Sequence, residues 1–345
     1  MATLYLIEQN TVLRKTSDRL VLTKKPASAR TTDKSYNQAD ILLEIPCADI
    51  DQVMLFGNVQ VTTQALQELL QHGIELAIFT FSGKLLGQLT PPQSKNIELR
   101  IAQFARYQQS DFCLNLAKAI VRSKLASALA VAQKHAANHP GLFTPEELKE
   151  LKSYLDRTTQ ADNLDSLRGY EGSGTACYYH LFGRMLQSPW RFDGRNRQPP
   201  LDPVNAVLSF GYVIVTSELQ SLLDGVGFDP YLGFYHQVKY GRPSLALDLV
   251  EEFRHSLVDR LALFIFNHHM VSEADFSPTA EGGIYLNTAG KAKFFQHYET
   301  MLGKLVAATD GAAAGKGFRS AFQQQIYALA KTVQNDQPYQ PITAL

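Results

Sequence analysis

The sequence contains little cysteine. Cys47, Cys113 and Cys177 are the only three among 345 residues, and no two of them form a CxxC pair. Disulfide frameworks and cysteine-based zinc sites need cysteines at close, regular spacing, so the sequence predicts neither. We expect the three thiols to be small, buried, apolar side chains.

The sequence also has no excess of charge of either sign, because 33 lysines and arginines balance 33 aspartates and glutamates. Bulk electrostatics therefore does not predict a nucleic-acid partner, and phosphate binding has to come from local groups of basic residues. Solvated helix and loop faces are the alternative interpretation of such groups. Four groups are present: Lys95/Arg100/Arg106, Lys118/Arg122/Lys124, Arg191/Arg195/Arg197 and Lys239/Arg242.

Long apolar runs are missing as well. No run approaches the roughly 20 residues that a membrane span needs. The N-terminal segment MATLYLIEQN lacks the basic, apolar and small-residue regions of a secretory signal peptide. We therefore expect no membrane partner and a cytoplasmic location. With 45% hydrophobic residues, the chain is long enough to form two or three domains with substantial cores.

The first 90 residues have the pattern of short strands. The strand candidates are LYLIEQ, TVLRK, RLVLTKK, ILLEIP, DQVMLF, ELAIFTF and KLLGQL. One segment between them, VTTQALQELLQHG, has helical periodicity instead. The polar segment 26–40 predicts an extended hairpin loop. These patterns together predict a small β-rich domain over residues 1–92.

The character of the chain changes at LTPPQSKN, where Pro91 and Pro92 prevent the preceding element from continuing. We place the domain boundary there, and predict an all-α domain over residues 93–345. The fold class is therefore α+β multidomain, with a larger helical domain following the β-rich one. Helical periodicity covers residues 97–138, 144–187, 203–225, 244–271, 289–306 and 315–334.

The segment LRGYEGSGTACYYHLFGRML places Glu171 beside Gly172 and Gly174 within a helical pattern. A glycine inside a helix costs roughly 1 kcal/mol relative to alanine, so the pair indicates close packing or ligand access. A kinked helix with a surface glutamate is the alternative interpretation.

A second segment, DPYLGFYHQVKYGRPSLALDLVEEFRHSLVDR, combines a loop histidine with carboxylates on the helix that follows it. Asp248 and Glu251 are three residues apart and share one helix face, and His236 precedes that helix. Carboxylates and a neutral imidazole can bind a hard divalent ion of the Mg²⁺ or Mn²⁺ type. Helix-dipole stabilisation and a structural histidine are the alternatives. Spacing alone does not show whether Glu171 reaches the same point.

Long stretches of the chain, taken in order, closely resemble one known family. They are LYLIEQNTVLRKTSDRLVL, LFGNVQVTTQALQELLQHGIELAIF, LRGYEGSGTACYYHLF and DPVNAVLSFGYVIVTSELQSLLDGVGFDPYLGFYHQVKYGRPSLALDLVEEFR. Ordered agreement over nearly the whole chain is far more specific than any single residue. The chain resembles the CRISPR-associated adaptation integrase, the metal-dependent member of the spacer-acquisition complex.

The resemblance implies a β-rich domain that dimerises and an α-helical domain that contains the active site. The metal ligands of the family fall on Glu171 in YEGSG, His236 in GFYHQ and Glu251 in DLVEEFR, and its accessory catalytic acid falls on Asp248. The implied cofactor is Mg²⁺ or Mn²⁺. Glu252 is the nearest competitor for Glu251, but it is rotated by a further 100° or so around the helix.

The implied reaction is attack by the 3′-hydroxyl of a captured DNA fragment on a phosphodiester at the leader–repeat junction of a CRISPR array. Water in place of the hydroxyl gives endonuclease activity. The implied partners are double-stranded DNA fragments, CRISPR repeat DNA, a second copy of the chain, and a small ferredoxin-like CRISPR-associated protein that bridges two dimers.

The nucleic-acid contacts are predicted from position. Basic residues that flank the loop histidine, or lie on the loop GRNRQPP, are candidates for phosphate contacts. They are Arg195, Arg197, Lys239 and Arg242. Tyrosines near the predicted site are candidates for base stacking, with core packing as the alternative. They are Tyr170, Tyr178, Tyr235 and Tyr240.

Two features depart from the family pattern. The 26–40 loop is longer than the usual connection, and His255 occupies a position where members often have proline. The extra imidazole is a candidate for indirect contact with the metal. Two alternative functions remain. The first is a structure-specific nuclease that uses the same metal site on branched nucleic acid. The second is a non-catalytic scaffold that binds DNA, in which the acidic residues only stabilise the helix.

Overall fold

A computed structural model describes residues 2–24, 40–90, 96–280, 282–304 and 317–342. The chain divides into two compact units, Met1–Gln93 and Ser94–Leu345. The division falls one residue after the boundary predicted at Pro91 and Pro92. The predicted 26–40 loop lies, up to residue 39, outside the described residues, as does Lys95.

The described residues of the N-terminal unit form two small sheets and one α-helix. Its strands are β1 (Thr3–Leu6), β2 (Thr11–Thr16), β3 (Arg19–Lys24), β4 (Ile41–Pro46), β5 (Gln52–Phe56), β6 (Val59–Val61), β7 (Glu75–Phe79) and β8 (Leu85–Leu89), with helix α1 (Thr63–Gln71) before β7. The first sheet has the order β1-β5-β7-β8, in which β8 alone is antiparallel to its neighbour. The second sheet has the order β4-β3-β2-β6.

Successive strands of this unit do not all pair with each other. β1 pairs in parallel with β5, whereas β2 pairs with β3 and with β6. The core between the elements is aliphatic, and Leu13, Leu20, Val53 and Leu69 are completely buried in it. The predicted β-rich unit is therefore confirmed, while its division into two sheets depends on pairings between distant segments.

The C-terminal unit is helical. Its helices are α2 (Ile97–Tyr107), α3 (Ser110–Asn138), α4 (Pro145–Arg157), α5 (Leu164–Met185), α6 (Pro203–Val226), α7 (Ser244–Phe253), α8 (Arg260–Asn267), α9 (Thr288–Leu302) and α10 (Phe318–Asn335). A short antiparallel pair, β9 (Phe276–Pro278) and β10 (Ile284–Leu286), lies between α8 and α9. The predicted helical fold class of this unit is confirmed, and the hairpin is an addition that the sequence did not predict, because it is too short to give a periodic signal.

Two predicted helices are each two helices in the structure, because polar residues interrupt them. The 97–138 helix breaks at Gln108 and Gln109, between α2 and α3. The 144–187 helix breaks where the Asn163 side chain accepts the backbone N–H of Ser166 and caps α5. Asparagine is a preferred N-cap, since its side-chain oxygen satisfies a backbone donor that the first turn leaves free.

α7 continues into α8 through a π-helical turn at Arg254–Asp259. Such turns are rare and occur frequently at functional sites. The predicted 244–271 helix therefore contains a local change of pitch and ends at Asn267.

α6 has the length and hydropathy of a membrane span, with a mean hydropathy of 1.4 over 18 residues. This finding corrects the expectation that no segment approaches such a span. However, 72% of that window is buried inside the unit. We therefore interpret α6 as a core helix, which needs apolar residues on several faces because other helices pack around it.

Candidate active site

The loop before α7 is held by one buried carboxylate. Asp248 is completely buried, and its Oδ1 accepts the backbone N–H of His236 at 2.8 Å and contacts the Nδ1 of the same residue at 2.8 Å. Its Oδ2 accepts the backbone N–H groups of Phe234 and Tyr235, at 2.6 and 3.0 Å. An Nδ1–H donated to the carboxylate leaves Nε2 of His236 with a free lone pair.

Glu251 lies one turn further along α7, on the same face as Asp248. Its Oε1 is 3.9 Å from Nε2 of His236 and accepts a 2.8 Å hydrogen bond from Nη1 of Arg254. Its Oε2 is 2.8 Å from Nζ of Lys124. Burial alone would raise the pKa of Glu251, but Arg254, Lys124 and His236 outweigh burial and lower that pKa. The carboxylate is therefore ionised.

Glu171 reaches the same point from α5. Its Oε1 is in contact with Nζ of Lys124 and accepts a 3.1 Å hydrogen bond from the Thr175 hydroxyl. Gly174 allows α5 to approach α3 closely, because a Cβ there would lie 2.9 Å from a Leu125 side-chain carbon. The glycine beside the glutamate therefore serves helix packing, which was one of its two predicted uses.

Lys124 is the centre of this arrangement. Its side chain is 4% exposed, and its ammonium lies between the carboxylates of Glu171 and Glu251. Burial would lower the pKa of Lys124, but the two carboxylates outweigh burial and raise it. The ammonium is thus a monovalent cation held where two carboxylates meet, with the imidazole of His236 next to one of them.

The two carboxylates and the imidazole are suitable ligands for a divalent ion, although in the structure the Lys124 ammonium lies between the carboxylates. Among the described residues, no three histidine, cysteine, aspartate or glutamate side chains are close enough to hold an ion as they stand. The carboxylates of Glu171 and Glu251 nevertheless meet at the Lys124 ammonium, and the imidazole of His236 lies beside Glu251. Mg²⁺ and Mn²⁺ prefer oxygen ligands such as carboxylates, and an imidazole can complete such a site. The side chains of Glu171 and His236 are 19% and 26% exposed, so the site is open on their side.

Glu252 points away from the cluster, from a different face of α7. Its Oε1 shares a 2.5 Å hydrogen bond with the Tyr339 hydroxyl, and its Oε2 accepts the backbone N–H of Ile342 at 3.0 Å. Burial raises its pKa to about 8, although both hydrogen bonds act in the other direction. Glu251 rather than Glu252 therefore belongs to the cluster, as the helical rotation predicted.

The predicted phosphate contacts divide into buried and exposed residues. Arg195 is used inside the protein: it donates to Asn205 and Ser209 at 2.7 and 2.9 Å and stacks on the ring of Tyr212. These internal partners are not what a phosphate contact predicts, and the assignment of Arg195 as a phosphate ligand stays a prediction. Arg242 donates to the Gln237 carbonyl and is partly buried. The other two candidates, Arg197 and Lys239, are exposed.

The extra imidazole of His255 lies within the π-helical turn. It is completely buried, and its Nδ1 is 2.7 Å from Oδ2 of Asp259. Its partner is thus Asp259 and not the metal-site glutamate, so the predicted indirect metal contact is not seen. Of the four tyrosines proposed for base stacking, Tyr178 and Tyr235 are buried in the core, and only Tyr240 is fully exposed.

Two members of the cluster were not predicted from the sequence. Lys124 appeared only within a basic patch, and Arg254 was not singled out. A signal for each was present: Lys124 directly precedes the apolar helix segment LASALAVA, and Arg254 follows Glu251 at a spacing of three. Residues three apart on a helix are neighbours, so an acid and a base at that spacing predict an ion pair.

The fold and the cluster define a class of protein: a strand-rich unit followed by a helical unit that brings two carboxylates and an imidazole around one cation. The family description CRISPR associated protein Cas1 matches residues 4–300. The chain belongs to this family.

Relatives and solved structures agree with this assignment. The CRISPR-associated endonuclease Cas1 3 of Thermus thermophilus is 34% identical over 267 residues, which cover 77% of this chain and 78% of the relative. A casposase bound to its integration product has the same fold, with a TM-score of 0.85 at 21% identity over 99% of this chain and 93% of that one. A Cas6-RT-Cas1–Cas2 complex matches with a TM-score of 0.80 at 26% identity, over 99% of this chain and 36% of the longer one.

Proposed function

We propose that this protein is a divalent-metal-dependent DNA strand transferase that inserts captured DNA fragments as spacers into a CRISPR array. The 3′-hydroxyl of the fragment attacks a phosphodiester of the repeat, and the 3′-oxygen of the cut strand leaves. The same site gives endonuclease cleavage when water replaces the hydroxyl.

One observation carries the proposal: the carboxylates of Glu171 and Glu251 meet at one cation, and Nε2 of His236 faces Glu251 at 3.9 Å. These residues come from α5, α7 and the loop before α7, so only the folded chain brings them together. Membership of a family whose relatives are named endonucleases supports the reaction class. The fold shared with a casposase on its integration product supports strand transfer.

Glu171, His236 and Glu251 would hold Mg²⁺ or Mn²⁺. When bound, such an ion polarises a phosphoryl oxygen and stabilises the negative charge that develops on it. Asp248 acts through His236: its two oxygens hold the backbone and the ring, so Nε2 points toward Glu251. Arg254 fixes the Glu251 carboxylate from the buried side. In this proposal phosphate approaches from the side of Glu171 and His236, and the exposed residues Lys239 and Arg197 are our candidates for backbone contacts.

The proposed partners follow from the same family. We propose that the strand-rich unit forms a homodimer, and that a small ferredoxin-like CRISPR-associated protein bridges two dimers in the cytoplasm. The Cas1–Cas2 complex among the similar structures supports a second protein component. The DNA partners are the captured double-stranded fragment and the repeat.

The test is strand transfer by the purified protein, with and without the small partner. A labelled DNA fragment and a supercoiled target are mixed in Mg²⁺, in Mn²⁺ or in a chelator, and joined and cut products are separated on a denaturing gel. His236→Ala is the site variant. Lys152→Ala, an exposed change on α4 away from the cluster, is the matched control.

We expect a joined product that requires the divalent ion, is retained in Lys152→Ala and is lost in His236→Ala. Cutting without joining in every condition would reassign the protein as a structure-specific nuclease. DNA binding with neither product would leave a scaffold. Joining that persists in the chelator, or in His236→Ala, would contradict the proposed site.

A further inference from the structure

The charges of the carboxylate cluster balance without a metal. Glu171 and Glu251 contribute two negative charges, and Lys124 and Arg254 contribute two positive ones. Both Lys124 and Arg254 have raised pKa values in spite of burial, which would act in the other direction, because carboxylates face them. These four groups are therefore neutral together, and a divalent ion would bring two further positive charges to them.

Both internal cations, Lys124 and Arg254, are largely buried and paired with carboxylates of the cluster. The side chain of Arg254 is 13% exposed, and its guanidinium donates to Glu251 and lies 4.1 Å from the centre of the Tyr212 ring. The Lys124 side chain is 4% exposed and comes from the middle of α3. Both therefore remain close when an ion arrives, and like charges at short range in a buried site repel each other strongly.

The more exposed edge of the cluster, formed by Glu171 and His236, is where an anion can reduce this excess of positive charge. A DNA phosphodiester contributes one negative charge there, and a divalent ion and a phosphate oxygen attract each other directly. Each ligand therefore lowers the electrostatic cost of the other. Because binding linkage is reciprocal, the ion must strengthen DNA binding by the same factor by which DNA strengthens ion binding.

We propose that Lys124 makes tight binding of the divalent ion conditional on a DNA phosphate, by acting as the resting counter-ion of Glu171 and Glu251. The inference rests on the proposed function and adds a regulation of the same site. The free protein keeps its carboxylates paired with Lys124 and binds the ion weakly. The ion is held firmly only when DNA is present, which restricts the chemistry to the assembled complex.

The test is the dissociation constant of Mn²⁺, measured from the electron paramagnetic resonance signal of the free ion. The protein is titrated alone and with a DNA duplex whose 3′ ends are dideoxy-terminated, so that no strand transfer occurs. Mn²⁺ taken up by the duplex alone is measured separately and subtracted. Three variants are compared with the unmodified protein: Lys124→Met, Lys124→Arg and Lys118→Met.

Lys124→Met keeps the length of the side chain and removes its charge. We expect it to bind Mn²⁺ about tenfold more tightly than the unmodified protein in the absence of DNA. The duplex should tighten Mn²⁺ binding by the unmodified protein by about tenfold, within the usual range of about 5- to 150-fold for coupled sites. In Lys124→Met the effect of the duplex should fall to about threefold or less.

The two other variants separate this effect from general electrostatics. Lys124→Arg keeps the charge and should keep the coupling. Lys118→Met removes the same charge from the same helix, but from a side chain that donates to the Thr159 carbonyl instead of the carboxylates. We expect Lys118→Met to weaken DNA binding, because one positive charge is lost, but not to tighten Mn²⁺ binding.

Equal Mn²⁺ affinities of the unmodified protein with and without the duplex would overturn the inference, and this comparison needs no variant. Unchanged affinity in a folded Lys124→Met would overturn it as well. Neither result would contradict the proposed function, which is tested separately by the strand-transfer assay and would fail if no joined product formed. Absence of Mn²⁺ uptake in every state would overturn the inference together with the metal requirement.

Discussion

The two faces of α7 offer a comparison between adjacent, equally buried glutamates. Glu251 faces Arg254, Lys124 and His236, and these three partners lower its pKa against the effect of burial. Glu252 faces the Tyr339 hydroxyl and the Ile342 N–H, and burial raises its pKa to about 8. The same residue type at neighbouring positions is ionised on one face and largely protonated at pH 7 on the other.

The difference shows that partners rather than burial decide the charge of a carboxylate. Burial disfavours the charged form at both positions, and only cations within a few ångströms reverse it. The ionised face is the one suited to a divalent ion, while the neutral face anchors residues 339–342 to the helix. The glutamate of the proposed metal site and the glutamate that anchors residues 339–342 thus differ by about 100° of rotation around one helix.

The largest effect is expected for Glu251→Gln. In this variant Arg254 loses its carboxylate partner, and Lys124 keeps only the carboxylate of Glu171. Removal of one member of a buried ion pair costs about 3–5 kcal/mol. We expect the free energy of unfolding to fall by that amount in urea titrations, and joined DNA product to disappear. Glu252→Gln is the matched control, and an equal loss in both variants would remove the distinction between the faces.

Asp248→Asn tests the third carboxylate of α7. In the proposed mechanism Asp248 positions His236, and it neither binds the metal ion nor transfers a proton. The amide can accept fewer than the four contacts that the carboxylate makes with residues 234–236. We expect a loss of about 1–3 kcal/mol of stability. We also expect strand transfer to fall by about 10- to 100-fold through misorientation of His236.

Mn²⁺ affinity distinguishes these two effects of Asp248→Asn. A purely structural role would lower stability and leave the Mn²⁺ affinity of the folded fraction unchanged. A positioning role lowers that affinity together with the rate. Full activity at unchanged Mn²⁺ affinity would show that the imidazole of His236 needs no support from Asp248.

The sequence predicted the two faces of α7 only in part. The strand-rich and helical regions are visible in local periodicity, and the family resemblance named Glu171, His236 and Glu251. The spacing of Asp248 and Glu251 placed them on one face, and the structure shows that both engage His236. These features are local in sequence, so a pattern of a few residues is sufficient to indicate them.

The partners of those residues could not be predicted in the same way. Lys124 is 47 residues from Glu171, and Tyr339 is 87 residues from Glu252. Such pairs depend on how α3, α5, α7 and the last described residues pack, which no local pattern specifies. Arg195 illustrates the converse: its basic character suggested a phosphate contact, but tertiary packing placed its guanidinium against Asn205, Ser209 and Tyr212.

Glu252→Gln should change the pH dependence of stability more than stability itself. The folded-state pKa of about 8 lies above the ordinary value of 4.5, so the folded protein binds the proton more tightly than the unfolded chain does. This contribution is complete below about pH 4.5 and is lost as the pH rises to about 8, at up to about 1.4 kcal/mol per pH unit.

Urea titrations between pH 5 and pH 9 measure this dependence. Glutamine cannot ionise, so the variant should lack the Glu252 part of the slope and be more stable than the unmodified protein at pH 9. Identical slopes for the two proteins would show that Glu252 does not hold its proton on folding. Strand transfer should be retained, because Glu252 faces away from the carboxylate cluster.

The smallest effect is expected for Tyr339→Phe, which removes only the hydroxyl that shares a 2.5 Å hydrogen bond with Glu252. The loss should be about 1 kcal/mol at pH 6, the usual net value of one hydrogen bond. That bond lowers the pKa of Glu252, so its removal should move the upper end of the pH-dependent range above pH 8. Tyr327→Phe, at an exposed tyrosine of α10, is the control and should change neither quantity. A shift of the range to lower pH would contradict the assignment of Tyr339 as a donor to this carboxylate.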